Sequence, residues 1–154
     1  RQTRFRMVTG VLTCALPILA GVFIFIDVDN FKNYNDKYGH ANGDLCLKHF
    51  AATMKKCFPK DSILGRYGGD EFVVYIKNAA SDAAHRYMDE FQREISHLMM
   101  SGGEHVTVSA SAGGVAFAGE GEDFVSLCRS ADNMLYDVKR NGKGTFKMKG
   151  AKNM

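Results

Sequence analysis

The sequence lacks the compositional signals that mark several classes of protein. Its 20 Lys and Arg residues nearly balance 17 Asp and Glu residues, and a net charge of +3 does not suggest a nucleic-acid-binding protein. Only two prolines are present, and no proline-rich linker, low-complexity tract or internal repeat divides the chain. With 154 residues and an ordinary apolar content of 45%, the sequence is typical of one globular domain.

The four cysteines, Cys14, Cys46, Cys57 and Cys128, form no Cys-x-x-Cys pair. Three of them fall on the apolar faces of predicted helices. Buried, reduced thiols are therefore favoured over a disulfide or a zinc site, as is typical of a cytoplasmic protein.

A predicted β-hairpin carries the most informative residues of the chain. Residues 68–71, Gly-Gly-Asp-Glu, lie between two apolar segments, 63–67 and 72–76. The Gly-Gly pair favours a tight turn because glycine tolerates positive φ. Asp70 and Glu71 repel each other, which makes them a poor choice for a purely structural turn. They are suited to bind Mg²⁺ and a nucleotide phosphate, although a solvated structural hairpin is the alternative.

A second acidic cluster follows a different apolar segment. Residues 22–26 form a continuous apolar run, which predicts a strand buried on both faces, and Asp27 and Asp29 follow it. Carboxylates at the end of a buried strand are costly unless a cation or hydrogen-bond donors compensate them. If this strand lies beside the hairpin, Asp27 and Asp70 would be able to share one divalent metal ion.

The rest of the chain predicts an alternation of helices and strands. A strand is expected from Val106 to Ala112, followed by a bulge or bend at Gly113-Gly114. The order of elements suits a sheet with antiparallel pairs and with helices on one side. Apolar residues spaced three to four apart predict one helix after Gly43-Asp44 that contains Leu47 to Cys57, a second that contains Ala84 to Leu98 and is capped by Ser81, and a third from Phe124 to Val138 that ends near Gly142.

Ordered motifs give the chain a family resemblance. It resembles GGDEF domains, the diguanylate cyclases that make cyclic di-GMP from GTP. The resemblance implies an α/β (α+β), ferredoxin-like, palm-type nucleotidyl cyclase fold, with a central, mostly antiparallel sheet flanked by helices, and residues 21–150 as the catalytic domain. The motifs are Asp27-Val28-Asp29-Asn30-Phe31-Lys32, Asn35-Asp36, Gly39-His40, Gly43-Asp44, Arg66 to Phe72, Ser111-Ala112-Gly113, Ala131-Asp132, Leu135-Tyr136, Lys139 and Gly142-Lys143.

The resemblance also implies a metal site. Asp27 and Asp70 would bind Mg²⁺ or Mn²⁺, and the carbonyl of Val28 would complete the protein ligands. Glu71 would either help to bind the metal or accept the proton of a 3′-hydroxyl group, and these two roles remain open.

The same resemblance assigns residues to the two ends of GTP. Backbone N–H groups of Asn30 and Phe31 would meet the β- and γ-phosphates, as at other helix N-termini, and the backbone at Gly68 and Gly69 would approach the nucleotide. Three lysines would neutralise the triphosphate and the departing pyrophosphate; they are Lys32, Lys139 and Lys143, the last at a position where the family often has arginine.

Guanine recognition is implied for two further residues. The carboxylate of Asp44 can accept from both the ring N–H and the exocyclic amine of guanine, and Asn35 can pair with another base edge. A helix N-cap is the alternative for Asp44. Many family members also carry an Arg-x-x-Asp site for the product, and the corresponding residues 59–62, Pro-Lys-Asp-Ser, do not match it.

Residues 1–20 form an atypical N-terminal segment. The family usually has a helix and a Leu-Thr-Gly-Leu motif before the first aspartate, and Leu12 to Pro17 resemble that motif only faintly. We interpret the segment as non-native, with the family's first helix missing. A membrane span is disfavoured because residues 23–26 are needed for the central strand, which leaves too few residues to cross a bilayer.

The sequence thus predicts a cytoplasmic diguanylate cyclase domain. It would condense two molecules of GTP in a transient homodimer, and a sensor domain of a longer, membrane-anchored parent would lie outside this chain. The alternative is a catalytically impaired GGDEF domain that acts as a GTP-binding or regulatory interaction module.

Overall fold

The computed structural model describes residues 6–7, 20–99, 103–118 and 123–150. Four helices and eight strands lie in these ranges. They are β1 (Arg6–Met7), β2 (Gly21–Val28), α1 (Phe31–Tyr38), α2 (His40–Cys57), β3 (Ile63–Gly68), β4 (Glu71–Lys77), α3 (Ser81–Ile95), β5 (Leu98–Met99), β6 (His105–Val106), β7 (Ala110–Phe117), α4 (Phe124–Arg140) and β8 (Phe146–Lys149).

Six strands form the main sheet, in the order β1-β3-β4-β2-β7-β8. The central strand β2 pairs antiparallel with β4 and with β7, and all eight of its residues are buried. The hairpin of β3 and β4 is antiparallel as predicted, whereas the outer pairs β1–β3 and β7–β8 are parallel. The remaining strands, β5 and β6, form a separate two-stranded sheet.

Apolar side chains of β2 alternate between two cores on opposite faces of the sheet. Ile24 and its neighbours on one face pack in a core with buried residues of α2 and α3. Phe23 and Phe25 face the other way and pack with Leu127 and Leu135 of α4. The expectation of helices on one side only is therefore wrong, because a strand that is apolar on both faces requires a cover on each.

The helix boundaries also differ from the prediction. Helix α2 begins at His40, earlier than the predicted start after Gly43-Asp44, and Gly39 with φ of 83° occupies its N-cap position. Ser81 is the first residue of α3 rather than its cap, since Ala80 precedes the helix and no side chain caps it. Leu98 lies beyond the end of α3, in β5.

Gly113 and Gly114 lie inside β7 rather than at a bulge or bend. They pair in unbroken register with Phe25 and Ile24 of β2. A Cβ atom on Gly113 would lie 2.1 Å from the carbonyl oxygen of Ala131, so glycine is needed here because the backbone of α4 passes so close. The predicted strand from Val106 to Ala112 is divided, since Val106 ends the short strand β6 and β7 begins at Ala110.

Three of the four cysteines lie among the described residues. Cys46 and Cys57 are buried, as predicted, and Cys128 is partly buried. Burial raises the pKa of each of these thiols to about 11, so they are protonated at neutral pH. The prediction for Cys14, and most of residues 1–20, lies outside the described residues. Among the helices that the structure describes, none is both long and apolar enough to cross a membrane.

Candidate active site

The two acidic clusters of the sequence meet at one end of the central strands. The antiparallel register places Asp27 of β2 opposite Glu71 of β4 on one side and Ser111 of β7 on the other. The backbone N–H of Val28 donates to the carbonyl oxygen of Asp70 at 3.1 Å, which joins the hairpin tip to the end of β2. The predicted adjacency of strand and hairpin is confirmed. We call Asp27, Asp70 and Glu71 the carboxylate cluster.

The carboxylate cluster brings three acidic side chains together, and Asp27 and Glu71 are at least partly buried. Asp27 is only 8% exposed, and burial raises its pKa, although a hydrogen bond from Lys139 acts in the opposite direction. Burial also raises the pKa of Glu71, and the charges of Asp27 and Asp70 add to that effect. Carboxylates that destabilise one another's charge in this way provide a site for a cation.

The donor set of this cluster fits a hard divalent cation. Across the described ranges, no three His, Cys, Asp or Glu side chains converge into a preformed metal site. A preformed cage is not required, because Mg²⁺ usually takes one or two protein carboxylates and completes its coordination with phosphates and water. Asp27 and Asp70 suit that role, whereas the Val28 carbonyl remains a predicted ligand.

A left-handed residue separates the carboxylate cluster from helix α1. Asn30 has φ of 54° and occupies the N-cap position, so α1 begins at Phe31 as its predicted role requires. The side-chain oxygen of Asn30 accepts a hydrogen bond of 2.8 Å from Nζ of Lys143. Lys32 is exposed on the first turn of α1. Backbone N–H groups and lysine ammonium groups therefore gather here, which is the arrangement that phosphate groups favour at a helix N-terminus.

Lys139, in the last turn of α4, also lies beside the end of β2. Its Nζ donates to Oδ2 of Asp27 at 2.8 Å. Of the three predicted lysines, Lys139 therefore contacts the carboxylate cluster directly, and Lys143 contacts Asn30, three residues after Asp27.

Asp29 organises the loops around the site, and the sequence analysis assigned it no role. One of its oxygens, Oδ1, accepts from the Ser111 hydroxyl at 2.6 Å, and Oδ2 accepts from the Ser109 hydroxyl at 2.8 Å. Oδ2 also accepts from the backbone N–H of Gly144 at 3.0 Å, next to Lys143. The spacing Ser-x-Ser, which puts both hydroxyls on one face of an extended segment, is the signal that was available.

Two predicted base-recognition residues lie at the junction of α1 and α2. The Asn35 side chain rests on Gly43, since a Cβ atom on that glycine would lie 1.7 Å from Asn35 Oδ1. This oxygen is buried and has no hydrogen-bond partner within the described part of the chain. Asp44 follows Gly43 and is exposed on α2. Because α2 begins at His40, Asp44 lies inside the helix and the N-cap alternative for it is excluded. We call Asn35, Gly43 and Asp44 the α1–α2 corner.

The hairpin tip is held by an arginine that the sequence analysis did not assign. Nε and Nη2 of Arg66 both donate to the carbonyl oxygen of Gly69, at 2.8 and 2.5 Å. Gly69 has φ of 35°, which confirms the need for glycine at that position, whereas Gly68 lies outside the left-handed region. The tip that carries Asp70 is therefore fixed from within the hairpin.

Comparison with known proteins identifies the family. A family model described as "Diguanylate cyclase, GGDEF domain" matches residues 17–145. Diguanylate cyclase A of Treponema denticola is 35% identical over 121 residues, which are 78% of this chain and 33% of that protein. Cyclic di-GMP phosphodiesterase PdeR of Escherichia coli is 32% identical over 123 residues, which are 80% of this chain and 19% of PdeR. The chain thus spans about a third of one relative and about a fifth of the other.

Solved structures give the same result. The GGDEF domain of YfiN from Pseudomonas aeruginosa superposes with a TM-score of 0.77 and 29% identity, covering 82% of this chain and 80% of that one. The active GGEEF domain of a diguanylate cyclase from Vibrio cholerae gives a TM-score of 0.75 at 27% identity, covering 84% and 83%. The chain belongs to the GGDEF family, and it has the mixed α/β, palm-type fold that the resemblance implied.

Proposed function

We propose that this chain is the catalytic domain of a diguanylate cyclase. It would join two molecules of GTP into cyclic di-GMP and release two molecules of pyrophosphate. The observation that supports this most strongly is that the carboxylate cluster and the N-terminus of α1 both lie at the end of β2, with the α1–α2 corner following along α1. The family membership agrees with this function.

The nucleotide would lie across these three features. Asp44 would accept hydrogen bonds from the ring N–H and amine of guanine, and the side-chain amide of Asn35 would pair with another edge of the base. The β- and γ-phosphates would meet the N–H groups at Asn30 and Phe31. Lys32, Lys139 and Lys143 would neutralise the charge that builds up on the departing pyrophosphate.

The metal belongs to the same proposal. Diguanylate cyclases of this family generally depend on a divalent cation, and Asp27 and Asp70 are the residues that would hold Mg²⁺ or Mn²⁺ here. When bound, the ion would polarise the phosphate oxygens. Glu71 would remain available to accept the proton of the attacking 3′-hydroxyl group.

One subunit would not complete the product by itself, because the sequence contains a single Gly-Gly-Asp-Glu motif and the product joins two nucleotides. Two subunits would therefore face each other in a transient homodimer, and each GTP would supply its 3′-oxygen to the α-phosphorus of the other. A cytoplasmic location and control by a sensor domain outside this chain are parts of the same proposal.

A non-catalytic GTP-binding or regulatory module is the second candidate. PdeR, a relative at 32% identity, carries the name of a phosphodiesterase, so relatives of this domain occur in proteins with another named activity. The geometry at Asp70 and Glu71 favours the enzyme.

The test is to incubate the protein with GTP and Mg²⁺ and to detect cyclic di-GMP by chromatography. Asp70→Ala should reduce turnover at least about a hundredfold, as expected for the loss of one electrostatic stabiliser. Asp82→Ala, which removes an exposed acid of α3, is the matched control. Specific activity should also rise with protein concentration if two subunits must meet. Unchanged product formation by the Asp70 variant would refute the assignment, and GTP binding without turnover by the unmutated protein would favour the second candidate.

A further inference from the structure

Gly43 occupies a place in α2 where the helix itself would favour another residue. It is the fourth residue of the helix (His40–Cys57), it is buried, and its φ is not positive. The backbone there is open to any residue, and glycine is less favourable than alanine inside a helix. The reason for glycine at this position therefore lies outside the helix, and none of the roles assigned above belongs to it.

The side chain of Asn35 occupies the space that a side chain at position 43 would need. A Cβ atom on Gly43 would lie 1.7 Å from Oδ1 of Asn35, 2.9 Å from its Cγ and 3.4 Å from its Nδ2. The backbone keeps the two residues together, because the Gly39 N–H donates to the Asn35 carbonyl oxygen at 2.8 Å and the Gly43 N–H donates to the Gly39 carbonyl oxygen at 3.1 Å. The turn between α1 and α2 thus holds the Asn35 amide against the bare Cα of Gly43.

The same distances give the amide of Asn35 a direction. Its Oδ1 is the end that rests on Gly43, and this atom is buried, whereas Nδ2 is the end farther from Gly43. Because the two atoms terminate one planar group, seating the oxygen on Gly43 leaves the NH₂ group to meet a ligand. An amide NH₂ donates to acceptors such as the ring nitrogens and the carbonyl oxygen of guanine, beside the donor pair that Asp44 would accept.

We propose that Gly43 is a positioning residue for guanine recognition, because the absence of a side chain there seats the Asn35 amide and selects the end that meets the base. This inference rests on the proposed function, which places the base at the α1–α2 corner. The atom that would clash most belongs to the end of a flexible side chain and not to the backbone. A methyl group at position 43 would therefore displace the amide and leave the fold intact. The helix would gain by the change while the base site would lose, which separates the two effects.

Gly43→Ala is the first test, with Gly150→Ala as the control, since a Cβ atom on Gly150 would meet nothing within 4 Å. Calorimetry with Mg²⁺ present measures the affinities for a non-hydrolysable GTP analogue and for pyrophosphate, which carries no base. We expect Gly43→Ala to bind the analogue at least about tenfold more weakly and pyrophosphate within about twofold of the unmutated protein. Its thermal midpoint of unfolding should stay the same or rise. Unchanged analogue affinity, an equal loss for both ligands, or a lower midpoint would overturn the proposal.

A double-mutant cycle shows whether Gly43 acts through Asn35. Asn35→Ala removes the amide that a methyl group at position 43 would displace, so in this background Gly43→Ala has nothing left to move. We expect the second substitution to change analogue affinity by less than about twofold there, against a loss of about tenfold or more in the unmutated background. Losses of equal size in both backgrounds would show that the added methyl group acts on α2 or on Asp44 directly, and would also overturn the proposal.

Failure of this inference and failure of the proposed function give different results. If the unmutated protein and Gly43→Ala bind the GTP analogue equally well, only the role of Gly43 is refuted. If the unmutated protein binds no GTP analogue in the presence of Mg²⁺, both are refuted. The test needs no turnover, since every measurement in it is a binding affinity or an unfolding temperature.

Discussion

Lys139 donates a 2.8 Å hydrogen bond to Asp27, and this contact ties the last turn of α4 to the end of the central strand. The two residues are far apart in sequence, yet they bring a cation and a carboxylate to the place where the hairpin carries Asp70 and Glu71. Under the proposed function, this lysine would stabilise the charge of the leaving pyrophosphate.

Replacing this lysine tests that role. Lys139→Met keeps the length of the side chain and removes its charge, and we expect turnover to fall on the order of a hundredfold. The thermal midpoint of unfolding should fall modestly as well, because Asp27 loses the cation that compensates its buried carboxylate. Arg140→Met is the control, since Arg140 is exposed and lies near the ring of Tyr136, with 5.8 Å between the guanidinium carbon and the ring centroid. A Lys139→Met enzyme as active as the unmutated protein would contradict the assignment.

Asp29 should be needed to hold the loops of the site. Asp29→Asn removes the negative charge that accepts from two serine hydroxyls and from the Gly144 N–H. Leaving one such partly buried donor unpaired costs about 1–3 kcal/mol, so the free energy of unfolding should fall by that amount and the KM for GTP should rise more than kcat falls. Denaturant titration and steady-state kinetics measure the two effects. Ser109→Ala removes a single hydrogen bond and should give a smaller effect of the same kind, and a larger effect than that of Asp29→Asn would argue against this network.

The sequence alone predicted the parts of the site that depend on local pattern. The apolar run before Asp27 identified one strand and the Gly-Gly turn before Asp70 identified the two strands of the hairpin. The apolar run also predicted that the first strand is buried on both faces, which places it at the centre of the sheet. A strand that is apolar on both faces also needs helices on both faces of the sheet, although the sequence-based expectation was helices on one side. Helix α2 starts at His40 because Gly39 adopts a positive φ at the N-cap position. The spacing of apolar residues does not indicate this start.

Contacts between distant segments could not be predicted in the same way. Asp29 meets Ser109 and Ser111 across about eighty residues of sequence. The close approach of α4 to Gly113 is a property of packing, and in the sequence a Gly-Gly pair is indistinguishable from a bend. The pocket between Phe25, Tyr67 and Asp132 combines β2, the hairpin and one face of α4, and no single motif contains that combination.

His49 should make the fold less stable in mild acid. Its Nε2 is buried with no hydrogen-bond partner in the described ranges, and burial lowers its pKa below the ordinary value of 6.5, while nearby Glu94 opposes the shift. The unfolded chain therefore binds a proton at a higher pH than the folded chain does. The stability that comes from the neutral, buried His49 side chain is fully present above about pH 6.5. It is lost as the pH falls from there toward the pKa of His49 in the folded protein.

Denaturant unfolding at pH 7.5, 6.5 and 5.5 measures this effect. His49→Gln should flatten the fall of the unfolding free energy between the upper and lower values, whereas His105→Gln, at an exposed position, should leave it unchanged. Identical pH dependence in the His49 variant and the unmutated protein would show that another group is responsible.

Asp44 should determine the choice between guanine and adenine. Adenine lacks the pair of donors that a carboxylate can accept, so Asp44→Ala should weaken GTP more than ATP and lower the ratio of their affinities at least about tenfold. Asp89→Ala, an exposed acid on α3, is the control. Titrations with non-hydrolysable GTP and ATP analogues measure the ratio, and equal affinities for both in the unmutated protein would remove the basis of the assignment.

The loop between α2 and β3 should not bind the product tightly. Residues 59–62, Pro-Lys-Asp-Ser, stand where many family members have Arg-x-x-Asp, and the aspartate is shifted by one position. Ser62 is buried, and its N–H donates to the carbonyl oxygen of Pro59 at 2.9 Å. An aspartate at position 62 would bury a carboxylate at considerable cost, so restoring the motif there should also destabilise the fold.

Calorimetric titration of cyclic di-GMP tests this absence, with the active site first filled by a non-hydrolysable GTP analogue. We expect no saturable heat at micromolar product. Lys60→Ala and Asp61→Ala should leave that result unchanged, because neither side chain completes the family's pattern. Saturable binding that both variants abolish would mean that this loop carries a product site of a different design, in which Lys60 replaces the arginine as the cation and Asp61 reaches the product from its shifted position.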